Sequence, residues 1–324
     1  LTIKKKIYYY YLNKFSKIFG LFFLFLLFAS FFSLDLYVSL KKTFFFFRFW
    51  IFALAVWYIF DIAKEKLSKS LIISFSIIFL ILIFDGYYQF FFKENLIGWP
   101  IQGTRVSSFF KDELILGSYL SRLLPIYFAL LIYSNFEKKT FQYALFFIIF
   151  VGVETLTFLS GERVAFFFVN ASTLMLILTM KNYKLFRIST VITSILIIIS
   201  LSYVYPDSSK RIINKTISQL GLDKKEDPET IIVKKKEENK KYIFSIEHQN
   251  HYTTAIKMFK DNIYTGIGPR MFRHTCGIKR YYIWEGCSTH PHNTYMQLLS
   301  EMGIFGFIFG FTIFLYLIFY LIKH

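Results

Sequence analysis

The chain has 324 residues, of which 55% are hydrophobic and 18% charged, and its mean hydropathy is +0.46. Soluble domains are about 45–50% apolar even with glycine included, so this composition excludes an ordinary soluble protein. The net charge of +17 would favour nucleic-acid binding in a soluble chain, but here lysine and arginine collect at the ends of apolar runs, where they set membrane topology and contact anionic lipid.

The long apolar runs predict an all-α, polytopic bundle of transmembrane helices, because about 20 apolar residues in a helix cross the hydrocarbon core of a bilayer. The first run, within residues 1–40, is too long for a cleaved signal peptide, so we expect a retained span. We predict eight spans, at about 18–38, 43–62, 70–92, 115–134, 141–159, 164–180, 188–205 and 296–322.

These spans divide the chain into transmembrane helices 1–7 (residues 1–205), a long polar loop (206–292) and a final transmembrane helix (293–324). Most lysines and arginines of the short loops, Arg187 among them, fall on the side of the N-terminus, which favours cytoplasmic termini. The long loop then faces the periplasm of a bacterial inner membrane. In it we predict an amphipathic helix at 208–220, a charged, low-complexity stretch at 223–241 and a helix at 243–260.

The most specific local pattern is a loop-to-helix junction at 290–306 (HPHNTYMQLLSEMGIFG). The helix would begin either at Asn293, as its N-cap, or at Thr294, which has capping-box spacing to Gln297. His292 then lies just before the positive end of the helix dipole, which attracts anions such as phosphate and disfavours imidazolium. A neutral imidazole in this position can accept a proton.

The junction resembles the signature of the O-antigen ligase/polymerase superfamily, in which His is followed by Asn, Ser or Gln, nine residues, Gly, two residues and Gly or a similar residue. His292, Asn293, Gly303 and Gly306 match the fixed positions. Further stretches that resemble the family are 103–105 (GTR), 116–119 (LGSY), 159–163 (LSGER, with Glu162 where Ser is more usual) and 262–269 (NIYTGIGP).

This resemblance implies a metal-independent glycosyltransferase without a cofactor, whose donor is a glycan on undecaprenyl diphosphate. The acceptor would be lipid A core, another glycan or a protein; membrane lipid surrounds the enzyme, and nucleic acid is not a partner. An acceptor hydroxyl attacks the anomeric carbon while lipid diphosphate leaves, which requires a base and cations. We assign the base to His292. The candidates for binding the diphosphate are Arg163, Arg105, Arg270 and Arg122.

Each of these residues also has a structural alternative. His292 could cap or anchor the helix, Arg163 could be a snorkelling interfacial residue, and Arg270 and Arg273 could be solvated surface. Arg122 lies inside a predicted span, where arginine is a functional hypothesis by default, and Glu154 is its candidate partner in an ion pair. The supporting or weaker polar candidates are Asn293, Glu301, His290, Asp85 and Gln89.

The two cysteines, Cys276 and Cys287, both fall in the loop that we assign to the oxidising periplasm. An even pair eleven residues apart favours a disulfide, which by loop entropy would stabilise the fold by about 3 kcal/mol. The alternative is a zinc site with His274 and His290, although the C-x-x-C spacing typical of such sites is missing.

Three classes of function compete. An O-antigen ligase is favoured over a repeat-unit polymerase because the histidine motif ends one long loop. The rival from another class is a transporter, suggested by Arg122, Asp85 and Glu154, and a non-catalytic scaffold is a third. The sequence has no Asp-x-Asp motif, P-loop or Gly-x-Ser-x-Gly elbow, which argues against metal-dependent glycosyl transfer, an ATP-driven pump and a serine hydrolase.

Overall fold

The computed structural model of the chain describes residues 8–133, 140–179, 183–214, 216–217 and 246–323. This part of the chain is all-α, as predicted, and it contains two isolated β-bridges but no strand. Its helices of 16 residues or more, labelled α1 to α8 in chain order, are Lys14–Phe31, Leu36–Phe92, Leu116–Tyr133, Thr140–Leu159, Arg163–Thr179, Lys184–Val204, Ile246–Asp261 and Thr294–Lys323.

Five of these helices are long and apolar enough to cross a membrane, namely α1, α2, α3, α6 and α8. Shorter apolar segments at Tyr143–Leu159 and Arg163–Thr179 belong to α4 and α5. The chain is therefore an integral membrane protein. Segment α2 has 57 residues, but its backbone is not helical at Lys64 (φ 35°, ψ −115°), so it consists of two helices that meet at a kink. The kink lies between the spans predicted at 43–62 and 70–92.

The long loop is partly helical where the structure describes it. The helix predicted at 243–260 is α7. Of the helix predicted at 208–220, residues up to Asn214 form a short α-helix, Pro206–Ser209, and a π-turn, Lys210–Asn214. The charged stretch at 223–241 lies outside the described residues.

The chain forms two compact units, one made of Leu1–Ile62 with Glu237–His324 and the other of Ala63–Lys236. In the first, which we call unit 1, one face of α7 is buried against the segment that leads to α8. Its core contains Ala255 and Met258 of α7 together with Ile267, Phe272 and Tyr281 of that segment. This packing holds the loop before α8 in a defined shape.

Two polar side chains of α2 organise a loop of the second unit, which we call unit 2. Asp85 accepts hydrogen bonds from the backbone N–H of Leu96 (2.9 Å) and the hydroxyl of Ser108 (2.5 Å). Gln89 Oε1 accepts from the N–H groups of Ser107 (2.9 Å) and Ser108 (2.7 Å). Both side chains are fully buried, so they hold the loop that follows α2, and their polar atoms are used for structure.

The expected pairing of Glu154 with Arg122 is wrong. Glu154 on α4 forms a buried ion pair with Arg187 on α6, with 2.6 Å between Oε1 and Nη2. Thr173 Oγ1 accepts a further hydrogen bond from Arg187, and Ser194 Oγ donates one to Glu154. Arg187 was also assigned to a short loop, but it is 1% exposed inside the first turn of α6. Arg122 is exposed on α3. The buried charges of Glu154 and Arg187 require a partner, because an unpaired buried charge is strongly disfavoured.

Candidate functional site

Asn293 caps α8, which decides between the two helix starts that the sequence left open. Its Oδ1 accepts hydrogen bonds from the backbone N–H groups of Tyr295 (2.9 Å) and Met296 (3.2 Å). The side-chain amide of Gln297 instead donates a hydrogen bond to the carboxylate of Glu301 (3.1 Å). His292 precedes the cap with a positive φ of 54°, a left-handed conformation that turns the chain sharply as it enters the helix.

Four histidines meet at this junction. The ring centroid of His292 lies 4.3 Å from that of His290, 5.0 Å from that of His251 and 5.7 Å from that of His248. His248 and His251 are one turn apart on α7, so they present their rings on one face of that helix. We did not predict these two residues, although their i, i+3 spacing in the helix predicted at 243–260 was a usable signal.

The environment keeps the His292 ring neutral. Partial desolvation by its neighbours is the larger cause, and the charges that His290, His251 and His248 would carry add to it; together they lower the pKa of His292 to about 4. The side chain nevertheless remains accessible to solvent. An accessible imidazole that is unprotonated at neutral pH can act as a proton acceptor.

The glycine turn at 262–269 docks on a break in α8. Helix α8 loses its helical conformation at Gly303 (φ 64°, ψ −164°). The carbonyls of Ser300 and Glu301 accept hydrogen bonds from the N–H groups of Ile267 (2.9 Å) and Gly268 (3.0 Å). A Cβ atom at Gly303 would lie 2.3 Å from the carbonyl oxygen of Tyr264. The glycine of the motif is therefore needed for close backbone approach between the turn and the helix.

We predict that Gly303→Ala destabilises unit 1 by about 1–3 kcal/mol, because alanine is strained at this φ and ψ and its Cβ meets backbone that cannot move aside. The matched control is Gly20→Ala in α1, where a Cβ would meet nothing within 4 Å. Thermal unfolding of both purified variants measures the difference. Equal unfolding temperatures for Gly303→Ala and the parent chain would contradict the docking role.

Glu301 ties the same elements together. Its carboxylate accepts hydrogen bonds from the backbone N–H of Phe272 (3.1 Å) and from the amide of Gln297 (3.1 Å), and the residue is 7% exposed. Glu301 was expected to orient His292 or to face a neighbouring helix. Its hydrogen bonds instead hold the segment around Phe272 against α8.

Cys276 and Cys287 form a disulfide, with 5.0 Å between their Cα atoms. The bond closes the segment that leads to His290 and His292. Because both thiols are used, the zinc alternative with His274 and His290 has no thiolate ligand and is wrong. Among the described residues, no group of three or more His, Cys, Asp or Glu side chains has metal-binding geometry.

A cavity of about 680 Å³ lies within unit 1, between α1, the start of α2, the segment at 269–290 and the start of α8. Its lining includes His290, two residues before His292, and Thr294, directly after Asn293. Arg270, one of the predicted diphosphate ligands, lines this cavity. So do three cations that sequence reasoning did not assign to the site, Lys42, Arg48 and Arg273. No sequence signal joined the first two to this junction, because they lie about 250 residues earlier in the chain.

In unit 2, the three other stretches that resemble the family meet one another. Glu162 accepts hydrogen bonds from the N–H groups of Gly117 (2.7 Å) and Ser118 (3.1 Å), so its carboxylate caps α3. A Cβ at Gly117 would lie 2.4 Å from Ser160 Oγ, which explains the glycine. The Ser-Gly-x-Arg turn ends in Arg163, the partly buried first residue of α5.

Arg105 supports this turn. Its Nε donates to the carbonyl of Ser160 (2.9 Å) and its Nη2 to the carbonyl of Leu114 (3.2 Å). The backbone N–H of Val106 donates to the carbonyl of Leu159 (3.1 Å). These contacts give Arg105 a role in holding the turn that carries Arg163. Its expected role as a diphosphate ligand stays a prediction, as do those of Arg163 and Arg122.

The sequence profile of the O-antigen ligase family matches residues 144–311, a little over half of the chain. The matched region contains the Ser-Gly-x-Arg turn, the glycine turn and the His292 junction, whereas the stretches at 103–105 and 116–119 precede it. No curated protein and no solved structure matches the chain.

Proposed function

Since this chain belongs to the O-antigen ligase family, we propose that it transfers a glycan from undecaprenyl diphosphate to an acceptor hydroxyl at the periplasmic face of a bacterial inner membrane. The family and the apolar helices already make it a membrane protein of the glycan-transfer class. The observation that carries the finer proposal is a neutral, accessible His292 beside a cationic cavity. A disulfide in the same segment supports an oxidising compartment.

In the proposed reaction, a ring nitrogen of His292 accepts the proton of the acceptor hydroxyl as the oxygen attacks the anomeric carbon. The bond from that carbon to the diphosphate oxygen breaks, and the lipid diphosphate leaves with the electron pair. Charge therefore develops on the leaving group, and guanidinium groups stabilise it because their paired N–H donors match phosphate oxygens. Arg270, which lines the cavity of unit 1, is the proposed ligand of this charge. A diphosphate-binding role for Arg163, whose turn Arg105 holds, stays a prediction from the sequence, and we propose that the reaction needs no metal or cofactor.

Ligase is preferred to polymerase because the histidine motif ends a single long loop, through which an acceptor such as lipid A core, another glycan or a protein would approach. The transporter alternative has less support from the structure than from the sequence. Of the three intramembrane groups that suggested it, Asp85 holds a loop and Glu154 pairs with Arg187.

Deletion of the gene, followed by gel analysis of surface polysaccharide, tests the function. Complete glycan chains left on the lipid carrier identify a ligase. A single capped repeat unit on the cell surface identifies a polymerase. An unchanged polysaccharide pattern contradicts both activities and favours the transporter or the scaffold alternative.

We predict that Arg163→Lys loses at least about tenfold of the transfer rate, because a point charge cannot replace the two-pronged guanidinium contact with phosphate. Transfer is measured in membranes with a lipid-linked glycan donor. Arg280→Lys is the control, since the exposed side chain of Arg280 pairs with Asp261 and does not line the cavity of unit 1. A transfer rate for Arg163→Lys equal to that of the control would contradict the predicted role of Arg163 in binding diphosphate.

The low pKa of His292 predicts the pH dependence. A base that binds its proton only near pH 4 stays unprotonated from pH 7 down to about pH 5, so transfer should remain constant over this range. An ordinary histidine, with a pKa of about 6.5, would lose most activity there. His290→Ala removes the nearest ring and should move the acid limb toward higher pH. A loss of activity centred near pH 6.5 in the parent chain would contradict the neutral-base assignment.

A further inference from the structure

Helix α8 folds back on itself at Gly303. Tyr295, near its start, and Phe314 are 19 residues apart in the sequence, which corresponds to about 28 Å along a continuous α-helix. Their ring centroids are nevertheless only 6.3 Å apart. The break at Gly303 therefore turns α8 into a hairpin, with a first limb at 294–302 and a second limb at 304–323.

Glycines on the second limb let the first limb approach closely. A Cβ atom at Gly310 would lie 2.8 Å from Leu298 Cδ1. A Cβ atom at Gly306 would lie 2.3 Å from Met302 Cβ. Small residues of this kind allow two helices to pack tightly in a membrane. The hairpin thus explains Gly306, the last fixed glycine of the family motif, whereas the docked glycine turn explains Gly303.

The two limbs contact different parts of unit 1. The first limb carries the His292 junction at its start, and Met296 packs it against the core to which α7 contributes. The second limb packs on α1, where the rings of Phe309 and Phe22 stack with 5.4 Å between their centroids. Phe22 in turn lines the cavity. The contact between the limbs therefore connects the helix that carries the proposed base to α1, which forms another wall of the cavity.

We propose that Tyr295 is a positioning residue for the transfer reaction, and that its ring holds the first limb on the second and thereby fixes His292 at the cavity. The backbone N–H of Tyr295 donates a hydrogen bond to the capping Asn293 (2.9 Å), so a displacement of Tyr295 also displaces the cap and the histidine before it. Tyr295 does not line the cavity, although Thr294 and Gln297 do, so it acts through His292. The inference rests on the proposed function, which makes His292 the base.

Cross-linking tests the hairpin without any glycan transfer. The full chain with Leu298→Cys and Gly310→Cys is purified in dodecyl maltoside and treated with dibromobimane, a short reagent that becomes fluorescent when both its ends have reacted with thiols. The two native cysteines do not react, because they form a disulfide. We expect rapid cross-linking of the introduced pair, whose side chains meet across the hairpin.

The control is the pair Phe305→Cys with Leu317→Cys, which has the same spacing of twelve residues and two exposed positions. Both positions lie in the second limb, about 18 Å apart along the helix, so this pair should not cross-link. Tyr295→Ala should slow the cross-linking of the 298–310 pair, because the ring that holds the limbs together is gone. Tyr295→Phe keeps the ring and should not slow it.

Transfer kinetics test the positioning role. Tyr295→Ala should lower kcat by about 10–100-fold with KM within about twofold of the parent value, because a base misplaced by about 1 Å loses rate without losing substrate affinity. Tyr295→Phe should restore the parent kcat. Tyr316→Ala is the matched control, since this half-exposed tyrosine of the second limb contacts Tyr320, with 6.3 Å between ring centroids. Rates are normalised to the amount of folded protein in the membranes.

Any of four results would overturn the inference: equal cross-linking of the two cysteine pairs, a parent kcat in Tyr295→Ala, a change of KM alone in that variant, or losses of kcat in Tyr295→Phe or Tyr316→Ala as large as that in Tyr295→Ala. Failure of the proposed function is distinguishable from these results. A parent chain whose 298–310 pair cross-links but which transfers no glycan would overturn the function and leave the hairpin.

Discussion

His292→Ala should reduce glycan transfer by about 10²–10⁴-fold, the usual contribution of a general base, while membrane insertion and the amount of protein stay the same. The ring is accessible and its loss opens no hole in the core. The positive φ of 54° at this position slightly strains alanine, so His292→Asn is the second variant, because asparagine tolerates the left-handed conformation. Transfer in isolated membranes, normalised to protein amount, measures both.

The control is His274→Ala, in the same segment but outside the four-histidine cluster. It should keep the parent rate. Full transfer by His292→Ala or His292→Asn would end the assignment of His292 as the base. A loss in His274→Ala as large as that in His292→Ala would indicate that the whole segment, and not one ring, is being disturbed.

The sequence predicted the elements of this junction better than their contacts. The start of α8 and the histidine in front of it follow from local rules, since caps depend on neighbouring residues, whereas the two motif glycines follow from the resemblance to the family. Local rules do not explain why position 303 is a glycine. The explanation is the close approach of the Tyr264 backbone, which is far away in the sequence. His251 and Lys42 were missed for the same reason: each joins the site from a separate helix.

In unit 2, hydropathy likewise did not predict which side chains contact each other. It indicated that Arg122 and Glu154 lie in apolar helices, but depth alone does not say which face of a helix a residue occupies. Arg187 was assigned to a loop because it lies at the end of an apolar run, yet one turn of helix carries it inward to Glu154. The acidic Glu162, unusual for the family turn, is likewise explained only by its contacts with Gly117 and Ser118.

The largest effect on stability should follow from breaking the buried ion pair between Arg187 and Glu154. Arg187→Ala or Glu154→Ala leaves one charge buried without its partner, which typically costs about 3–5 kcal/mol. Replacing both, as Glu154→Leu with Arg187→Met, should cost much less, because no charge remains to be desolvated. Thermal unfolding of the purified variants in detergent measures the changes, and the double variant should recover most of the lost unfolding temperature.

Two further substitutions in unit 2 make this prediction specific. Lys210→Ala breaks an ion pair with Asp207 in which both side chains are about two-thirds exposed, at 64% and 68%, so it should cost at most about 1 kcal/mol. Arg122→Ala removes the exposed arginine that the sequence had paired with Glu154 and should leave stability nearly unchanged. If Arg122→Ala destabilised the protein as much as Arg187→Ala, the carboxylate of Glu154 would have to be shared between the two arginines, and burial would no longer explain why Arg187 is its partner.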